Sequence, residues 1–411
     1  MGKSTLRSSY KGLASAVFGI AVYVAAAHVA ADTAPQRAHT PIVLDNNRVT
    51  IGVTVTSAEG KTETVRAMVD AGNPDLWITA NLAERLGLWH HSPQADSPLG
   101  RVYLVETPRT ISISGYELKV PRSVRGIAFV APQVVPGLNA EMNIPASVLA
   151  QTDVEFDYPA LQFEIGAPGS GNHEGTKAAI YVDKDTSRVI LPAVIDGVSY
   201  KLGLDTGNGY SSIDQALMAH LLQAHPDWPH LTGYLGASST RGMPQELELH
   251  LIRVPQIQWG PLHIDQAGIN ELFEKSEHSL AAGDVAGGLG GNVLKSFRID
   301  IDYANGVAYF DKSTAADADQ LDMVGLIVRP ESDGSYSVEK EIDLTVDATK
   351  SSIAVNDHLV AIDGASVTNM TMGQVIRALS GAPGQTKELL LRHGENAYSV
   401  KAVVRRHLPH G

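Results

Sequence analysis

The stretch LGLDTGNGYSSI, Leu202 to Ile213, decides how this chain is read. An apolar run ends at Leu204 and gives way to an acid, a small hydroxyl residue, a glycine and a polar turn. A carboxylate at the end of a buried strand is costly unless it is paired or hydrogen-bonded, because desolvation penalises its charge. Asp205 therefore needs a structural partner or a chemical task. If the task is acid–base chemistry, a second carboxylate must come from elsewhere in the chain.

The chain supplies one through an internal repeat. VRAMVDAGNPDLWITANLAERLGL lies over YKLGLDTGNGYSSIDQALMAHLLQ, each an apolar strand, an Asp-x-Gly-Asn turn, a second strand and a short helix. Asp70 falls on Asp205. Further on, VLAQTDVEFDYPALQFEI lies over VLKSFRIDIDYANGVAYF, with Asp157-Tyr158 on Asp302-Tyr303. The reading is a duplicated β unit, one copy at 43–166 and one at 179–312, joined by the Gly-rich GAPGSGNHEGTK. Alternating apolar and polar residues in both copies predict half-buried strands, with helices confined to TANLAERLGLW and DQALMAHLLQAH.

Two such units can bring Asp70 and Asp205 face to face across a pseudo-two-fold axis. Carboxyls that share one proton split their pKa values, so the ionised one can activate a water while the protonated one polarises a carbonyl. Gly72 and Gly207 let each turn run close to the acids and offer N–H groups to them. Asn73 and Asn208 follow the glycines; each either donates its amide to its own Asp or simply suits a turn.

DTGNGYSSID and DAGNPDLWIT resemble the active-site turns of the pepsin/retropepsin-like aspartic proteases. GGLGGNVL (Gly287 to Leu294) resembles that family's hydrophobic–Gly motif, and IDIDYANGVAYF the closing hairpin of bacterial retropepsin-like domains. The resemblance spans 43–312. It implies a bilobal acid-protease-like β-barrel fold, catalytic roles for Asp70 and Asp205, and a supporting grip through Thr206. The first copy departs from the pattern twice. Ala71 stands where the family has Thr or Ser, and Ile144-Pro145 where the second copy has Leu289-Gly290. A missing loop-to-loop hydrogen bond costs about 0.5–1.5 kcal/mol. Two readings follow: an aspartic endopeptidase, or a catalytically inactive pseudoprotease that binds extended peptides in the same cleft.

Beyond DKSTAADADQLD the composition shifts. VGLIV (Val324 to Val328), VNDHLVAIDGASV (Val355 to Val367) and the helix around TMGQVIRAL resemble a bacterial-type PDZ domain over about 323–405. The resemblance implies a small α+β fold in which Gly325, Leu326 and Ile327 receive a peptide strand. Asn356 replaces the usual glycine of the second motif, and DLTVDATKSSIA departs from the family pattern.

At the N-terminus, Lys3, Arg7 and Lys11 precede the apolar LASAVFGIAVYVAAAHVAA. This matches a signal peptide over 1–31 cleaved near Ala31, with an uncleaved membrane anchor as the alternative. The expected destination is periplasmic or secreted, in a bacterium. The formal charge of −13 argues against nucleic acid or an anionic membrane surface as partner. Cysteine is absent, which removes disulfides and thiolate chemistry. The 15 histidines form no HExxH or closely spaced ligand set; His90-His91 and His173-Glu174 read as surface residues. No metal or other cofactor is expected, and the expected partner is a polypeptide substrate or peptide ligand. GDVAGGLGGN lacks the Lys-Ser/Thr ending of a phosphate loop, no G-x-S-x-G elbow occurs, and GASSTRG (Gly236 to Gly242) reads as a mobile hairpin over the cleft.

Overall fold

The strand that carries each acid is placed by its apolar alternation. In the computed structural model, which describes residues 36–97, 100–232, 249–272, 285–313, 321–341 and 353–410 (backbone alone for 90–97 and 100), Thr62–Asp70 buries Ala67, Met68 and Val69. It pairs antiparallel with Arg48–Thr56 on one side and parallel with Met142–Pro145 on the other. Met142–Pro145 is itself antiparallel to Leu76–Thr79, so it lies between the two strands that flank the Asp70 turn. The second lobe repeats this arrangement. Val198–Leu204 pairs antiparallel with Val189–Ile195 and parallel with Gly287–Leu289, which is antiparallel to Ser211–Ile213. Pairing of Val189–Ile195 with His250–Trp259 closes six strands of this lobe into a ring.

A third sheet joins the copies. Its order is Arg37–Pro41, Gln162–Gly166, Asp153–Asp157, Phe297–Asp302, Val307–Lys312, Thr176–Ala179. The central seam pairs one strand from each copy, with Asp153 opposite Asp302 and Glu155 opposite Asp300. Alternation sends Val154, Phe156, Ile299 and Ile301, all fully buried, into one core shared by both lobes. Each such side chain contributes roughly 1.5–3 kcal/mol of transfer free energy. Two strands of this sheet fall outside the expected organisation: Arg37–Pro41 precedes residue 43, and Thr176–Ala179 begins inside the expected connector. His173 of that connector is half-buried, its side chain 22% exposed. Its Nδ1 lies 2.8 Å from Asp300 Oδ2 and its ring stacks on Tyr309.

Both expected helices form. Ala80–Leu86 is capped by Thr79 and Gln215–Ala224 by Asp214, each side chain accepting from a backbone N–H of the first turn. Residues 321–410 build a separate five-strand path, Leu326–Pro330, Tyr336–Glu341, His358–Ile362, Thr386–His393, Asn396–Val403, with the short Ala365–Ser366 paired to its middle strand. The helix Met372–Leu379 packs Val375 and Leu379 into this unit's own core, with a capping box between Thr371 and Gln374. The architecture is mostly β, a bilobal acid-protease-like fold followed by a small α+β unit. The N-terminal apolar segment, GASSTRG and most of DLTVDATKSSIA lie outside the described residues. Among the described residues no helix is long and apolar enough to cross a membrane.

Candidate active site

The two Asp turns meet where the lobes meet. Each carboxyl is held by its own turn: Gly72 N–H donates to Asp70 Oδ1 at 3.2 Å, and Gly207 N–H to Asp205 Oδ1 at 3.1 Å. Asp205 Oδ1 also accepts from Asn208 N–H at 3.0 Å. The glycines face across the pseudo-axis. A Cβ on Gly72 would collide with the carboxyl of Asp205, and one on Gly207 with that of Asp70. Any side chain at either place would push the acids apart, so glycine is what lets the turns close on each other.

Thr206 fastens the turns in one direction. Its Oγ1 accepts from Ala71 N–H at 3.0 Å and donates to the Val69 carbonyl at 2.8 Å, all within the buried interior. Ala71 has no hydroxyl with which to return the contact. The drift at Ile144-Pro145 is in register with this site: Pro145 lies opposite Asp70, and Leu289 opposite Leu204. The asparagines act as turn formers. Asn73 Oδ1 accepts from Asp75 N–H at 3.0 Å and Asn208 Oδ1 from Tyr210 N–H at 3.3 Å, both Asx turns. Asn208 reaches Asp205 through its backbone. The Asn73 amide favours the ionised form of Asp70, although its buried Nδ2 makes no hydrogen bond among the described residues.

Both carboxyls titrate well above the usual carboxylate range, chiefly through burial. Burial raises Asp70, while Asn143, Gly72, Arg48 and Asn73 pull it back. Burial and the charge of Asp70 raise Asp205, opposed by Arg48 and the turn N–H groups of Asn208 and Gly207. Each carboxyl accepts two hydrogen bonds that favour its anion, Asp70 from Gly72 and Asn143, Asp205 from Gly207 and Asn208. As a coupled pair they titrate in two steps that belong to the pair and not to either residue.

Two contributors were not singled out in the sequence. Asn143, fully buried, donates Nδ2 to Asp70 Oδ2 at 3.4 Å and to the Asp75 carbonyl, and accepts from Trp77 N–H. Arg48, also buried, donates Nε to the Gly207 carbonyl at 2.9 Å. Asn143 left no signal, because its counterpart in register is a glycine, Gly288. Arg48 did leave one in the repeat, taken up below.

The residues expected to receive a peptide divide. Leu326 and Ile327 line a 660 Å³ cavity together with Ile376 and Arg377 of the helix Met372–Leu379; Gly325 does not. The opposite wall comes from the lobes, through Asn47, Tyr210 and Lys295. Leu326–Pro330 is the edge strand of its sheet. Among the described residues no group of three or more His, Asp or Glu side chains is arranged to hold a metal ion.

No family model and no curated protein matches the chain. Among solved structures it is similar to an aspartic proteinase from Irpex lacteus, at a TM-score of 0.40 and 13% identity, over 69% of this chain and 99% of that one.

Proposed function

We propose that the chain is an exported aspartic endopeptidase whose Asp70/Asp205 dyad activates a water against a peptide carbonyl. One observation carries the reading: two buried carboxyls, one from each copy of a repeat, face each other between reciprocal glycines and are tied by Thr206. In this scheme Asp70 takes a proton from the water as its oxygen bonds to the carbonyl carbon. Asp205 gives its proton to the carbonyl oxygen. The tetrahedral diol then collapses, the C–N bond breaks, and the amine leaves with a proton returned through the dyad. No covalent enzyme intermediate is needed. Residues 1–31 would direct export to a periplasmic or extracellular setting, and the 323–405 unit would act as a PDZ-like module for peptide or regulatory binding.

Ala71 favours a second reading, a pseudoprotease that holds extended peptides without cutting them. An unfolded protein incubated with the purified chain from acidic to neutral pH separates the two. The peptidase reading expects fragments from the wild-type chain and a modest gain in rate from Ala71→Thr. Binding without fragments, with cutting only in Ala71→Thr, overturns it in favour of the binder.

A further inference from the structure

The duplication begins one step before the Asp strands. Asp45-Asn46-Asn47-Arg48-Val49 and Asp185-Thr186-Ser187-Arg188-Val189 share Asp at the first place and Arg-Val at the last two. In both the residue before the arginine is left-handed, Asn47 at φ 60° and Ser187 at φ 58°. Each Arg-Val leads into the strand that pairs with its lobe's Asp strand. Thr50 lies opposite Met68, and Ile190 opposite Gly203. Continued by two residues, the ladders bring Arg48 level with Asp70 and Arg188 level with Asp205.

Both arginines are buried, at 4% and 7% exposure. A buried guanidinium needs opposite charge or good acceptors nearby. Burial lowers Arg48 to about 10, against the pull of Asp205, Asp70 and Asp45. Burial lowers Arg188 too, against Asp183, Asp205 and Asp70. Each arginine therefore feels both acids of the dyad.

Without Arg48, the two desolvated carboxyls would hold their protons to still higher pH, and a doubly protonated pair contains no base. The contacts also run opposite to those of Thr206. Thr206 reaches from the second lobe to the first, whereas the Asn46-Asn47 hairpin reaches back. Arg48 Nε holds the Gly207 carbonyl, Asn47 Nδ2 holds the Gly209 carbonyl at 3.1 Å, and Lys295 Nζ fixes Asn47 Oδ1 at 3.3 Å.

We propose that Arg48 is a positioning residue whose fixed charge stabilises a carboxylate in the dyad, with Arg188 its weaker counterpart from the other copy, and that Arg48 also ties the Asp205 turn to the first lobe where Ala71 has no hydroxyl. The inference rests on the dyad reading above. The other ionisable groups facing this centre are Asp45 and Asp183, beside the arginines, and Tyr158, whose phenol is pushed up by burial and then by Asp205 and stays neutral.

The test is a carboxyl titration by NMR with ¹³Cγ-labelled aspartate, the two resonances assigned with Asp70→Asn and Asp205→Asn. Arg48→Met should raise the dyad's titration by about 1–2 pH units, and Arg188→Met by less. The acidic limb of kcat/KM should move with it, and Arg48→Lys should stay with wild type. Adding Ala71→Thr to Arg48→Met should restore thermal stability but leave the titration shifted. An unchanged titration in folded Arg48→Met overturns the proposal, as does a shift in Arg48→Lys equal to that of Arg48→Met. If Arg48→Met does not fold, Arg48→Gln, which keeps a donor and removes the charge, carries the same decision. The titration needs no turnover, so a chain that cuts nothing but shows the shifts sinks the peptidase reading and sustains this one.

Discussion

Asp205 sits where a carboxylate is expensive, and that cost sets the pH behaviour of the fold. Its pKa is raised in the folded chain by burial and by Asp70. A raised carboxyl binds its proton more tightly folded than unfolded, so its contribution is fully present below the unfolded pKa and is lost as pH rises through the folded one. Asp205→Asn should therefore raise Tm at neutral pH and change it little at acid pH, at about 2–4 °C per kcal/mol gained. Scanning calorimetry at the two pH values checks this; an equal gain at both would contradict it. Gly72→Ala should cut activity by about 100-fold or more, because its Cβ meets the Asp205 carboxyl and moves the reacting groups. Retained turnover in a folded Gly72→Ala chain would contradict the facing of the turns. The acids and glycines were legible in the sequence because a turn is local: Asp, Gly and Asn carry their own geometry. Asn143 was not, and although Arg48 recurs as Arg188 in the repeat, what each does depends on which strands lie beside it.

At the scale of elements, the strand–turn–strand–helix order of each copy was legible from alternation and caps. The helices fell where Thr79, Asp214 and Thr371 place their starts. The capping box at Thr371 supports only eight helical residues, so Thr371→Ala should destabilise the C-terminal unit by about 0.5–2 kcal/mol. Hydrogen exchange of the amides in Met372–Leu379 reads that loss, and unchanged protection would contradict it. The strands at the rim of the inter-lobe sheet were harder to see. Arg37–Pro41 and Thr176–Ala179 are short, lie in polar or Gly-rich sequence, and gain their order from Gln162–Gly166 and Val307–Lys312. Pairing partners far along the chain override weak local preference.

On the scale of the whole molecule, one core spans both lobes, and a second belongs to the C-terminal unit alone. A smaller cluster, with Tyr210, Leu251, Ile327 and Leu408, links that unit to the second lobe. Leu379→Ala should cost the C-terminal unit about 2–5 kcal/mol. Its strands should lose exchange protection while Thr62–Asp70 and Val198–Leu204 keep theirs. Equal loss throughout would mean that the cores unfold as one. The duplication was legible in the sequence, since each copy keeps its Asp turn and its Asp-Tyr pair. The cavity between the lobes and the C-terminal unit was not, because its walls come from stretches far apart in the chain, around Asn47, Tyr210, Lys295, Leu326 and Ile376.

The central claim is that Asp70 and Asp205 act together on one water. The measurement that tests it most directly is cleavage of an unfolded protein by wild type, Asp70→Asn and Asp205→Asn, each shown folded by calorimetry, in ¹⁸O-labelled water. The account expects one labelled oxygen in each new carboxyl terminus from wild type, and no product from either variant. Undiminished cleavage by a folded Asp70→Asn or Asp205→Asn chain would contradict it.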